Sequence, residues 1–369
     1  MRIALIGNHP DGVALAEVFQ ARGDCVVVGL VDVNAAGRFP AATTHADIED
    51  LLARSDVDLV IVAGPFRRRG PQLRRAMQSR MHVLCVSPAA DSPDTAYEAA
   101  LIQGDTKKLL LPIVPQLLDS AVAAVEDWLS RERGAADPSG RHRLFLWEQV
   151  GRPSGDDPAA PDWFLIRRLG GDIVELTGMA PEDNPDGTEP IIFSGRFQDG
   201  SLLHGWIEPN ATEFSWSLTI RSGARTARIE AKPGADLEFS ASDSGGPPLK
   251  RQSGDRVGTW RAFAEAVYTR VKEPQPWLVA WQDEIRVCEW DDALRRSIVK
   301  RKVSTVDYQE ISEEVGSRGT LTLIGCGMVW LMLLLAFVAI WQPLVLWGVI
   351  PLLLVFFALL LLNWLARKP

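Results

Sequence analysis

Five strand-forming residues, Arg2–Ile6, run into a turn bounded by glycines, Gly7-Asn8-His9-Pro10-Asp11-Gly12. Val13–Arg22 then sets Val13, Ala16, Val18 and Phe19 near one face of a helix. Strand, glycine turn and helix in that order open a dinucleotide-binding unit. Such an opening commits the next strands to run parallel to the first, with helices covering both faces of the sheet.

The following residues keep to that plan. Cys25–Asp32 is a continuous apolar run ending in an acid, as a strand buried on both faces would be. Asp32 stands where such folds place the carboxylate that holds the adenosine ribose, and equally where an Asp would start a turn. Asp47–Arg54 reads as a short helix and Val57–Ala63 as a second two-faced strand, followed by the loop Gly64-Pro65-Phe66. Gln72–Ser79 is helical, His82–Cys85 is a strand that runs into Val86-Ser87-Pro88, and Asp94–Gly104 is a helix. Lys108–Val114 and Leu117–Ser130 complete the series as strand and helix.

From Arg141 the pattern changes to strands: His142–Val150, Pro190–Phe197, Leu202–Glu208, Glu213–Arg221, Arg225–Ala231 and Leu237–Ala241. In the fourth, Phe214, Trp216, Leu218 and Ile220 alternate with Ser215, Ser217 and Thr219, the mark of a half-buried antiparallel strand. Gly151–Pro161 and Ser242–Gly258, rich in Gly, Pro and Ser, read as loops. The expected fold is α/β. Residues 1–130 form a Rossmann-type unit, 131–305 an α+β unit with a mainly antiparallel sheet, 306–320 a linker, and 321–366 two membrane helices.

The element order, together with VDLVIVAGP and MHVLCVSP, resembles the Gfo/Idh/MocA family of NAD(P)-dependent oxidoreductases, whose corresponding strands end in A-T-P and in E-K-P. The likeness extends through Trp260–Val271, Glu273-Pro274 and the closing helix Trp281–Ser297. It implies NAD or NADP as cofactor, met by Gly7, His9, Gly12, Asp32, Gly64, Pro65 and Pro88. It also implies a small sugar-like ligand, and association of two copies through the antiparallel sheet.

The residues that should carry chemistry depart from that pattern. His9 replaces the second glycine of G-x-G-x-x-G, where the backbone must approach the pyrophosphate. Pro10 has no N–H to offer an anion, and Asp11 competes with one for the helix dipole. A protonated His9 in direct contact with phosphate is the alternative. The family lysine that assists proton transfer is Ser87 here, in Val86-Ser87-Pro88. The family's acid and histidine in G-G-G-x-x-x-D-x-G-x-H fall on Glu175 and Met179, with Glu175 expected on a helix beginning near Gly171. Methionine cannot transfer a proton.

A net charge of −8 without blocks of like charge argues against nucleic acid as partner. Cys25, Cys85, Cys288 and Cys326 are widely spaced, and the five histidines show no helical pairing, so neither a disulfide frame nor a zinc site is expected. Arg67-Arg68-Arg69 with Arg74, Arg75 and Arg80 reads as a solvated helix face or an anion contact.

Gly319–Ala366 contains no Asp, Glu, Lys, Arg or His. Leu321–Trp341 and Leu344–Leu365 are each long enough to cross a hydrocarbon core of about 30 Å at ~1.5 Å per residue. Lys300, Arg301, Lys302 and Arg318 precede the first run, and Arg367 and Lys368 follow the second, which places both ends and the soluble units in the cytoplasm. Two readings follow. One is a membrane-anchored binding, scaffold or regulatory protein that has lost turnover. The other is an active NAD(P)-dependent oxidoreductase acting on a sugar or cyclitol hydroxyl.

Overall fold

The computed structural model describes residues 1–306 apart from positions 35, 91, 136–141, 153–156, 182–188, 244–249 and 274–276. The expected linker and membrane hairpin lie outside the described residues, as does Cys326. Among the described residues no helix is long and apolar enough to cross a membrane.

The first sheet is parallel. Its strands are β1 (Arg2–Ile6), β2 (Val26–Val31), β3 (Thr43–His45), β4 (Leu59–Val62), β5 (His82–Val86) and β6 (Leu110–Ile113), in the order β3-β2-β1-β4-β5-β6. Helices α1 (Pro10–Ala21), α2 (Ile48–Leu52), α3 (Phe66–Gln78), α4 (Pro93–Thr106) and α5 (Ser120–Ala135) follow these strands. All four residues of β4 are buried, because helices close over both faces of a parallel sheet. The strand order reverses between β1 and β4. Folds of this kind bind ligands in the crevice at such a switch point, beyond the carboxyl ends of the strands.

The second sheet has nine strands: β7 (Leu144–Val150), β8 (Ile173–Met179), β9 (Ile191–Phe197), β10 (Leu202–Glu208), β11 (Ser215–Ser222), β12 (Arg225–Ala231), β13 (Glu238–Asp243), β14 (Lys250–Ser253) and β15 (Ser304–Thr305). Only β7 and β10 pair in parallel; every other pair is antiparallel. Helix α6 (Trp163–Gly170) precedes β8, and α7 (Arg256–Lys272) and α8 (Trp281–Lys300) follow β14.

Two expectations are corrected. No helix begins at Gly171: with φ at 89° that glycine ends α6, and Ile173–Met179 forms a strand paired with β9. β-Branched Ile173, Val174 and Thr177 suit the pleated surface better than a helix. Residues 242–258 are not one loop, since β13 runs to Asp243, Lys250–Ser253 forms an edge strand on it, and α7 starts at Arg256. The edge strand, KRQS, has no apolar alternation to announce it, and charge on an edge discourages further pairing. The α7 start is fixed by Asp255, whose carboxylate accepts from Gly258 N–H at 2.9 Å.

Helix α8 ties the two sheets together. Trp281, Ile285 and Cys288 enter the core of the first sheet, and Trp281 Nε1 donates to Ala96 O at 2.8 Å. Farther along, Ser297 Oγ accepts from Gly178 N–H of β8 at 3.0 Å. A Cβ on Gly178 would lie 2.6 Å from Leu294, so this glycine lets helix and strand approach closely.

Candidate functional site at the switch-point crevice

The glycine turn is pinned across the switch point by its own backbone. Gly7 N–H donates to Val31 O at 2.8 Å on one side, and His9 N–H to Ala63 O at 2.9 Å on the other. Gly7 has φ of 94°, and a Cβ there would lie 2.3 Å from Ala63 O and Gly64. A Cβ on Gly12 would lie 2.2 Å from Ala63 Cβ, so α1 needs this glycine to pack against the end of β4. Both outer glycines therefore serve the fold whether or not a nucleotide is bound.

His9 caps α1. Its Nδ1 accepts from Asp11 N–H at 3.2 Å, so that nitrogen carries no proton and the ring presents Nε2–H outward. Nε2 lies 2.7 Å from Asp157 Oδ2. The other carboxylate oxygen of Asp157 accepts from Arg69 Nη2 at 2.8 Å. Arg69 is fully buried, and its remaining donors reach Gly64 O at 3.1 Å and Pro88 O at 2.7 Å. The guanidinium thus joins the carboxyl ends of β4 and β5, and Asp157 links it to the turn after β1. Burial alone would raise the Asp157 carboxyl, but the His9 hydrogen bond and the Arg69 charge outweigh it and hold it below its ordinary value.

A dinucleotide has few donors left to meet at this turn. Gly7, His9 and Asp11 donate within the protein, and Pro10 has no N–H. Two side chains able to donate to an anion at this turn, His9 and Arg69, hold Asp157. Asp32 is exposed just beyond β2, with φ of 55°. At this point of the crevice the carboxylate of Asp157 stands between His9 and Arg69.

Beside the crevice, the Ser87–Pro88 bond is cis, and the following Ala89 N–H donates to Glu284 Oε1 of α8 at 2.6 Å. Glu284 is fully buried. Burial raises its carboxyl above the ordinary value, and hydrogen bonds from Ala89, Ser87 and Cys288 only partly oppose that. A buried acid whose proton is held more tightly than usual therefore stands behind Ser87.

A cavity of about 490 Å³ opens from this crevice toward the second sheet. His9, Ser87, Pro88 and Asp157 form one end; Trp216, Trp260, Phe214 and Phe164 supply aromatic walls. Trp216 stacks on Trp147 with ring centroids 4.9 Å apart and planes at 16°. Gln149, Asp162 and Asp291 add polar edges. Burial raises both carboxyls; Asp162 accepts from Leu165 N–H and Gln116, and Asp291 pairs with Arg295 at 3.1 Å.

Of the residues singled out in the sequence, the fold brings His9, Ser87 and Pro88 to the cavity. Gly7, Gly12, Gly64 and Pro65 shape the strand ends beneath it. Glu175 instead projects from β8 to Arg196, 2.6 Å away, and the hydrogen bond from that guanidinium, with its charge, lowers the carboxyl. Met179, at the end of the same strand, is 64% exposed. Neither is among the residues lining the cavity.

The basic run hides a residue that sequence reading missed. Arg69 belongs to the buried stripe with Leu73, Ala76 and Met77, a spacing of four, seven and eight that marks it as inward-facing. Asp157, in a Gly/Pro-rich loop, and Glu284, in a charged helix, carried no such signal.

No family model and no curated protein sequence matches the chain. Solved structures do. Levoglucosan dehydrogenase in complex with NADH superposes with a TM-score of 0.66 at 16% identity, over 84% of this chain and 100% of that one. Aldose–aldose oxidoreductase from Caulobacter crescentus, complexed with glycerol, gives 0.68 at 15% identity, over 83% and 99%. Biliverdin reductase from Synechocystis sp. PCC 6803, with biliverdin and NADP+, gives 0.63 at 16% identity, over 80% and 98%. The chain has the fold of these Gfo/Idh/MocA-type NAD(P) oxidoreductases.

Proposed function

We propose that this chain is a membrane-attached binding protein built on an NAD(P)-oxidoreductase fold, and that it takes up a small polyhydroxylated ligand without turning it over. The observation that carries this reading is the dispersal of the proton-transfer positions. Ser87 faces the cavity, while Glu175 is salt-bridged on an open strand and Met179 is solvent-exposed. Hydride transfer at a hydroxyl carbon needs a group within reach that moves the hydroxyl proton. The cavity still suits a sugar-like ligand: indole faces for its C–H surface, carboxylate and amide edges for its hydroxyls. Membrane attachment rests on the uncharged runs within 321–366.

The open face of the second sheet supports pairing of two copies. Ile192 and Trp206 are directly opposite in register, and with Leu202 they are 40%, 39% and 51% exposed.

The test uses the full chain in detergent with a panel of sugars and cyclitols. Thermal stabilisation by one of them, without nicotinamide reduction at millimolar NAD+ or NADP+, is the expected outcome. A ligand at 100 times its Kd should add about 2.7 kcal/mol. Nicotinamide reduction with any member of the panel would refute the reading.

One observation favours the alternative, an active oxidoreductase on a sugar or cyclitol hydroxyl. Glu284 is fully buried, its carboxyl is raised by that burial, and it is hydrogen-bonded to Ser87, where the family has lysine. If turnover is found, its loss in Glu284→Gln would support that route.

A further inference from the structure

We propose that Asp157 is an internal anion that holds the place of a dinucleotide's phosphate, so that NADH or NADPH enters the crevice only by displacing it. The inference stands whether or not the chain turns over a substrate.

Four observations converge on it. The carboxylate lies at the switch point, bridging the turn after β1 to a guanidinium bonded to the carbonyls that follow β4 and β5. That is the crevice in which doubly wound sheets receive nucleotides. Arg69 is fully buried, and Asp157 is the acid it is paired with. A buried guanidinium without an anion is strongly unfavourable, so this position must hold either the chain's own carboxylate or an anionic ligand. His9 is held by Asp11 N–H in the tautomer that aims Nε2–H at the same point. It donates to an oxyanion where a glycine would only have made room for one. Finally, Asp157 comes from the segment between β7 and α6, not from the first sheet. Its withdrawal would leave β1, α1 and the glycine turn intact, with two side-chain donors exposed to a phosphate.

The arrangement separates two properties that usually coincide. The glycine turn retains its backbone form, but the N–H groups of Gly7, His9 and Asp11 are spent within the protein and Pro10 has none. Affinity for phosphate would therefore come from His9 and Arg69, and the competitor for both is Asp157.

The experiment titrates NADH into the full chain and into Asp157→Asn, following nicotinamide fluorescence. Asparagine keeps an acceptor for His9 but gives up the charge that satisfies Arg69. The expected result is binding at least tenfold tighter in Asp157→Asn. Equal or weaker binding by the folded variant overturns the proposal. If Asp157→Asn does not fold alone, it is refolded with and without millimolar NADH, beside Arg69→Met/Asp157→Asn as a folding control. Recovery of Asp157→Asn only with NADH supports the proposal. No recovery with NADH, while the double variant folds, overturns it. Hydrogen exchange on the unaltered chain gives an independent reading. Bound NADH should speed exchange at 157–161, and NADH bound with that segment equally or better protected would also overturn the proposal.

Discussion

Replacing Arg69 by methionine tests the ion network most directly. The substitution deletes three contacts: to Asp157 at 2.8 Å, Gly64 O at 3.1 Å and Pro88 O at 2.7 Å. It keeps most of the aliphatic volume of a side chain that is fully buried. Asp157 would remain buried with His9 as its donor. Two charges about 4 Å apart attract by about 4 kcal/mol at an effective dielectric near 20, and breaking one partner of a buried pair costs about 3–5 kcal/mol. At roughly 2 °C per kcal/mol for a domain of this size, Arg69→Met should lower Tm by about 6–10 °C. Arg69→Met/Asp157→Asn removes both charges and should recover much of that loss, with a coupling of about 2–3 kcal/mol. The assay is urea unfolding of the four proteins of the cycle, followed by tryptophan fluorescence. The coupling should also depend on pH. The Asp157 carboxyl is held below its ordinary value, so its contribution is complete above the unfolded value of about 3.9 and is lost as pH falls through the folded one. A loss under about 1 kcal/mol in Arg69→Met, or additive single effects, would refute the network.

Four further outcomes are expected. Gly12→Ala puts a methyl 2.2 Å from Ala63 Cβ and should cost about 1–3 kcal/mol, while adding Ala63→Gly should restore much of it; an unchanged unfolding midpoint in Gly12→Ala would contradict the packing. Glu284→Gln should gain stability relative to the unaltered chain as pH rises above about 4.3, because burial raises the folded pKa and the acid's contribution is full only below the unfolded one; a pH-independent difference in denaturation between pH 4 and 8 would count against the upward shift. Trp206→Asp should convert a dimer to a monomer in light scattering, and an unchanged mass would remove the open sheet face as the interface. The full chain should stay in the membrane fraction after alkaline extraction and a chain ending at 306 should not; release of both would exclude the anchor.

The first sheet was legible because parallel strands buried on both faces must be apolar throughout, and CVVVGLVD and VDLVIVA have no other comfortable place in water. The second was legible where one face is wet, as in Phe214–Ile220, and illegible at its edges. Lys250–Ser253 and Ser304–Thr305 are strands by virtue of their neighbours, with no pattern of their own. The sequence around Glu175 reads as a helix beginning near Gly171, whereas Gly171 at positive φ ends one there. The site was half visible. His9, Ser87 and Pro88 stand in motifs, and their cavity is where they meet. Asp157 lies about 150 positions from its imidazole partner in sequence and in a segment whose composition marks only a loop, so nothing local connects it to His9.

Asp157 also gives the departures in the glycine turn a common physical basis. Taken singly, His9, Pro10 and Asp11 each weaken the hold of a helix N-terminus on phosphate. Taken with Arg69, they describe a site that must remain stable with no nucleotide in it. A fully buried guanidinium is tolerable only beside an anion, and a protein whose sole anion were a dissociable cofactor would lose several kcal/mol whenever the cofactor left. Supplying a carboxylate in cis removes that dependence. The same carboxylate then sets a threshold for any ligand that would replace it, since the newcomer must match two hydrogen bonds and a buried ion pair before it gains anything. A tenfold gain in NADH affinity on loss of the Asp157 charge would amount to about 1.4 kcal/mol of that threshold. Arg69→Met should abolish the gain, because the guanidinium is the donor for which the two anions compete. If Arg69→Met/Asp157→Asn bound NADH as tightly as Asp157→Asn, the phosphate would be held elsewhere and the buried ion pair would be a structural strut alone.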